Sequence, residues 1–117
     1  MQNNQQYTET QSSIGAWAKE TFEENKGFQQ ATIKLLKLEE EYGELLNEMS
    51  LSRKNPTKED IDAIALELAD MLVVMYGIAE CLNIDLLESV DKKMEINRRR
   101  KWKKQPSGNF KRDREAL

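Results

Sequence analysis

The chain has 117 residues, a third of them charged, with a net charge of −3, no histidine and one cysteine. That length gives one domain with a modest core, and only five Gly and two Pro fit a mostly helical chain. Without histidine, His-based acid–base catalysis, Ser-His-Asp and Cys-His arrangements and the usual zinc sites are excluded, and the lone Cys81 allows no disulfide within the chain.

The first stretch, residues 1–12, is polar and expected to be mobile. It has no basic start followed by an apolar segment, so no signal peptide is expected, and no later run reaches the ~20 apolar residues of a membrane span. The expected location is cytoplasmic, with no membrane partner. A helix is predicted from Ser13 to Asn25, with Ile14, Trp17, Ala18 and Phe22 on one face and Ser12 or Ser13 as its cap. Asn25-Lys26-Gly27 breaks it.

The second helix is predicted over Phe28–Leu51, with apolar residues at 28, 31, 35, 38, 42, 45 and 49, the seam of a packed helix. Ser52-Arg53-Lys54-Asn55-Pro56 connects it to a third helix over Lys58–Leu82, opened by a capping box of Thr57 and Asp60. This third helix is apolar on most of its circumference, which predicts a central position and more cover than one chain supplies. Asn83-Ile84 ends it. Asp85, with Glu88 three residues on, caps a fourth helix reaching toward Trp102. Pro106-Ser107-Gly108 closes the fold, Phe110–Leu117 reads as a charged tail, and no strand pattern stands out. The predicted class is all-α, a four-helix bundle with antiparallel neighbours. The domain limits are a mobile segment 1–12, a helical domain 13–106 and a tail 107–117.

Two features of this arrangement concern chemistry. Residues 63–79 read AIALELADMLVVMYGIA, in which Glu67 and Asp70 are the only charged groups. Spaced by three, they share a helix face and repel one another, and a carboxylate in apolar surroundings is costly unless compensated. A bound cation removes both penalties. Glu41 and Glu44, also three apart, lie one helix upstream within Glu39-Glu40-Glu41-Tyr42-Gly43-Glu44. If the two helices are antiparallel neighbours, four carboxylates converge in a cage of hard oxygens suited to magnesium, manganese or calcium. The second feature is charge asymmetry: residues 1–91 sum to −11 and residues 92–117 to +8, so an acidic body adjoins a basic segment able to hold an anion.

The order EE-x-x-E (Glu40, Glu41, Glu44) then E-x-x-D (Glu67, Asp70), in KLEEEYGEL and ELADML, resembles the all-α nucleoside triphosphate pyrophosphohydrolases of the MazG type. KMEINRRRKW is similar to their K-x-x-x-N-x-x-R segment and WAKETF to their first helix, so the likeness runs over residues 14–104. Glu39 extends the family's glutamate doublet by one. The resemblance implies magnesium, or manganese, held by Glu41, Glu44, Glu67 and Asp70. It also implies nucleotide contacts from Lys93, Asn97 and Arg100, and cleavage between the α- and β-phosphates to a nucleoside monophosphate and pyrophosphate. Its members are dimers or tetramers built from dimers, so a homodimer or tetramer is expected. With no histidine to take the proton of the attacking water, Glu40 or Glu41 is the expected base. Trp17 is the candidate to stack on the nucleobase. Phe22, Phe28 and Trp102 share that chemistry, although packing is the commoner use of such residues.

The rival reading is a non-catalytic helical interaction module whose basic segment, Arg98–Lys104, binds nucleic acid or a protein partner. It leaves Glu67 and Asp70 unexplained, and the acidic body would repel a duplex, so no stable nucleic-acid binding is expected. A di-iron carboxylate bundle is set aside because its Glu-x-x-His pairs need histidine.

Overall fold

The computed structural model of the chain describes residues 6–51 and 54–114. It contains four helices, α1 (Gln11–Phe22), α2 (Phe28–Leu51), α3 (Lys58–Cys81) and α4 (Leu86–Arg99), followed by two short strands, β1 (Trp102–Lys104) and β2 (Phe110–Arg112). The architecture is all-α, and the chain divides into two compact units at Asp85/Leu86. No helix among the described residues is long and apolar enough to cross a membrane.

In the first unit α3 packs against both α1 and α2. The caps explain where the helices begin. Thr10, rather than Ser12 or Ser13, caps α1: its hydroxyl accepts from Ser13 N while Ser13 Oγ accepts from Thr10 N, a reciprocal pair two residues earlier than expected. Ser13 is thus the third helical residue of its own capping box. Thr57 and Asp60 form the box predicted for α3. Glu23, in the left-handed region at φ 54°, ends α1. Gly27 (φ 112°) then turns the chain into α2, and its N–H donates to Cys81 O at 2.9 Å, stitching the α1–α2 connection to the end of α3.

The stripe of α2 that is covered differs from the predicted seam. Ala31, Lys34, Leu38, Glu41, Leu45 and Glu48 are the covered or half-covered positions, whereas Phe28, Leu35, Tyr42 and Met49 are exposed. Two apolar stripes overlap on this helix, and α3 takes the one that also carries Lys34 and Glu41. On α3 the covered positions run through Ala63, Ile64, Glu67, Met71, Val74, Ile78 and Cys81, so Glu67 lies on the packing stripe itself. Among the described residues the buried apolar side chains are small: Ala18, Ala31, Val74, Ala79 and Cys81. Leu35, Leu36, Leu46, Leu66 and Leu68 remain more than half exposed.

In the second unit α4 stops at Arg99, short of Trp102. The Trp102 indole N–H donates to Asn97 O at 3.1 Å, a carbonyl that also accepts from Arg100 N–H at the helix end. Trp102 is thereby tied to the last turn of α4, with 45 % of its surface still exposed. Contrary to the expectation of no strands, β1 and β2 form an antiparallel hairpin in the register Trp102↔Arg112, Lys103↔Lys111, Lys104↔Phe110. Gly108 (φ 94°) makes the turn, with its N–H bonded to Gln105 O at 2.9 Å. Three-residue strands rich in Lys and Arg carry too little alternation to be read from sequence. Phe110–Arg112 is therefore strand, not tail. Residues 1–5 of the expected mobile segment, 52 and 53 of the connector, and 115–117 of the tail lie outside the described residues.

Candidate metal centre

Packing α2 against α3 brings Glu41, Glu67 and Asp70 together. Each offers a carboxylate oxygen, and the three oxygens lie within 4.8 Å of one another. Glu41 is 6 % exposed, Glu67 half-covered and Asp70 exposed, so the group runs from the helix interface out to solvent. Glu41 Oε1 lies 3.3 Å from Lys37 Nζ one turn back, while Glu41 Oε2 is buried without a hydrogen-bond partner. Glu67 Oε2 is likewise buried without a partner. Buried polar atoms in native folds are nearly always satisfied, so two orphaned carboxylate oxygens side by side need a donor or a cation.

The electrostatics agree. The Glu67 carboxyl is pushed up from its ordinary value, first by loss of solvent and then by the negative charges of Glu44, Asp70 and Glu41. Glu44, expected as a fourth member of the cage, is outside the three-oxygen cluster, and its negative charge helps push the Glu67 carboxyl up. Lys37 is the nearby cation. Its ammonium is pushed up by its hydrogen bond to Glu41 and by the charges of Glu40, Glu41 and Glu44, and one lysine does not balance four carboxylates. Oxygen donors without nitrogen or sulfur suit a hard divalent ion such as magnesium or manganese. The residues present therefore fit the ion. Glu40 is exposed, 3.7 Å from Lys37 Nζ, and outside the three-oxygen cluster.

A cavity of about 440 Å³ adjoins the carboxylates. Glu41 and Asp70 line it together with Trp17, Phe22, Ile33, Val73 and Val74. Trp17 and Phe22 meet edge to face at 5.3 Å between ring centroids. The same cavity is lined by Glu24, Gln30, Lys34 and Lys37, none of which the sequence reading singled out. For Lys34 a signal existed: it falls on the covered stripe at the spacing of Ala31 and Leu38.

Lys93, Asn97 and Arg100 belong to the second unit. Lys93 and Asn97 are one turn apart on α4, and Arg100 follows the helix end, its N–H bonded to Asn97 O at 3.3 Å. Asn97 Oδ1 is buried without a hydrogen-bond partner. Positive charge crowds around Arg100: the Arg112 guanidinium is pushed below its ordinary value by Arg114 and then Arg100. Arg112, on a strand the sequence did not reveal, thus adds to the cationic group.

The model of the MazG-like family matches residues 31–112. Among solved structures, the cyanophage S-2L MazG-like pyrophosphohydrolase, bound to dGDP and three catalytic Mn2+ ions per active site, is 27 % identical with a TM-score of 0.63, and the match covers 88 % of this chain and 92 % of that one. A search of curated proteins finds no match.

Proposed function

We propose, because this chain belongs to the MazG-like family, that it is a nucleotide pyrophosphohydrolase that cleaves (deoxy)nucleoside triphosphates between the α- and β-phosphates. The observation that carries this reading is the meeting of Glu41, Glu67 and Asp70 across α2 and α3, with two of their oxygens buried and unpartnered. The S-2L enzyme, which binds manganese and a nucleotide, supports it.

In this reading Glu41, Glu67 and Asp70 hold magnesium or manganese, with Glu44 completing the ligand set beside Glu67. The ion, when bound, supplies positive charge against the phosphate oxygens. The protein residues position the substrate and take a proton. Glu40, or Glu41 where it is not engaged as a ligand, accepts the proton of the attacking water. The water oxygen bonds to the α-phosphorus, the bond to the bridging oxygen breaks, and pyrophosphate leaves. Lys93, Asn97 and Arg100 bind the phosphates and sugar, and Trp17 stacks on the base. Positioning and charge neutralisation are what phosphoryl transfer chiefly requires.

The hydrolase domain spans residues 13–106 in this reading, between the segments 1–12 and 107–117, and the family match to residue 112 argues for adding β2. The leucines left exposed on α2 and α3 support a homodimer or tetramer. The place of action is the cytoplasm, and neither a membrane nor nucleic acid is a partner. The test is a panel of nucleoside triphosphates with magnesium or manganese, scored for monophosphate and pyrophosphate. Both products should form in equal amounts and cease on adding EDTA. Release of orthophosphate alone, or turnover indifferent to EDTA, overturns the proposal.

A further inference from the structure

At the side of the cavity contributed by α1–α2, Lys34 and Glu24 form an ion pair at 2.7 Å, their side chains 11 % and 15 % exposed. The fold makes room for it. A Cβ on Gly77 would lie 2.6 Å from Lys34 Cε, so α3 carries a glycine where the lysine stem crosses. Burying two charges costs more than packing apolar side chains of the same volume, so a pair like this is weak evidence of a stabilising role. It lines a cavity that also carries Gln30 and Lys37, is otherwise walled by aromatic and aliphatic side chains, and ends on Glu41 and Asp70. Few convergent polar groups on an apolar pocket are what orient a small ligand.

We propose that this pair reads the base of the substrate, and that the base is guanine. The inference rests on the hydrolase reading above and names the substrate class of that site. Lys34 uses one of three ammonium donors on Glu24, and Glu24 retains free acceptor sites on both oxygens. The pair therefore presents a donor beside two acceptors. Guanine presents the complement on its Watson–Crick edge: the O6 acceptor beside the N1–H and N2–H donors. A carboxylate takes two parallel N–H groups in bidentate fashion. Adenine and cytosine would set a ring-nitrogen lone pair against the carboxylate, and thymine would set a second carbonyl there. Spacing fits as well. Lys34 and Glu41 are two helical turns apart on one face of α2, about 10 Å along the axis, comparable with the reach of a nucleoside from the far edge of its base to its α-phosphate. Trp17 and Phe22 supply the stacking surface.

The experiment has two readouts. Hydrolysis of dGTP, dITP, dATP, dCTP and dTTP is compared in wild type and Glu24→Gln. Separately, binding of dGMP, dIMP and dAMP is measured by calorimetry without metal. Wild type should favour dGTP over dATP by about ten- to a hundred-fold in kcat/KM, with dITP, which lacks the N2 amine, falling in between. The Kd values should follow the same order. In Glu24→Gln the preference should shrink to within about three-fold, the usual scatter of such energies. A flat wild-type panel, or a folded Glu24→Gln that keeps the preference, overturns the assignment. If Glu24→Gln fails to fold, equal wild-type affinities for dGMP and dIMP overturn it, and unequal ones support it. Absence of hydrolysis for every triphosphate overturns the hydrolase reading instead, while the dGMP-to-dAMP ratio still decides what the pocket reads.

Discussion

The two ends of the α2–α3 contact are built on opposite plans. Toward Ala31, Val74, Ala79 and Cys81 the helices meet through small buried residues, and backbone bonds from Gly27 to Cys81 and from Ile84 to Ala79 lock the ends. Toward Glu41 and Glu67 the same stripes carry carboxylates, each with one oxygen buried and without a hydrogen-bond partner. Ordinary packing would exclude such groups. The first end holds the fold together, and the second spends part of that stability on a charge arrangement that a donor or a cation would complete.

Mutations that distinguish the ends come in descending order of effect. Glu41→Gln and Asp70→Asn should each lower kcat by about 10²–10³-fold or more, the loss typical when one electrostatic group is removed from a reacting centre. In EDTA neither should lower the melting temperature, because each relieves the mutual repulsion of the clustered carboxylates. A large fall in melting temperature with retained turnover would place these residues in the scaffold. At the other end Gly77→Ala should act in the opposite sense. The new Cβ displaces the Lys34 stem, which should cost about 1–3 kcal/mol by overpacking, read by urea unfolding in EDTA. A melting temperature equal to wild type would show that the notch under Lys34 is not tight.

The smallest effect is a pH dependence at the acidic end. Because the folded Glu67 carboxyl is raised above its unfolded value, the folded state holds the proton over a window where the unfolded chain has lost it. Its contribution to stability is therefore favourable at low pH and disappears as pH rises through the folded value. Metal-free protein should melt at a lower temperature as pH climbs from the ordinary glutamate range through the raised value, and Glu67→Gln should flatten that slope. An identical slope in the variant would assign the effect to other groups.

How much could be read from the chain alone follows the same division. The limits of α2, and those of α3 to within one residue, were legible because Gly27, Pro56, Thr57 and Asn83 are local signals. The partnership of Glu41 with Glu67 and Asp70 was legible because charges inside an apolar run need a reason. The choice between the two stripes of α2 was not, since Phe28, Leu35, Tyr42 and Met49 are as apolar as the residues that α3 covers. Glu44 is exposed and outside the three-oxygen group, a difference that the spacing alone does not show. The ion pair at Glu24 and Lys34 joins residues from a loop and a helix, and no periodic pattern marks that. The hairpin was hidden by its brevity and charge.

The connection carrying Glu24 has a consequence of its own. It is fastened by main-chain groups: Gly27 N to Cys81 O, and Asn25 O accepting from the Cys81 thiol at 3.8 Å. Backbone anchors are indifferent to the side chain at position 24. An engineer could exchange that residue for another that still accepts from Lys34, such as Asp or Gln, retuning the cavity wall without touching those anchors.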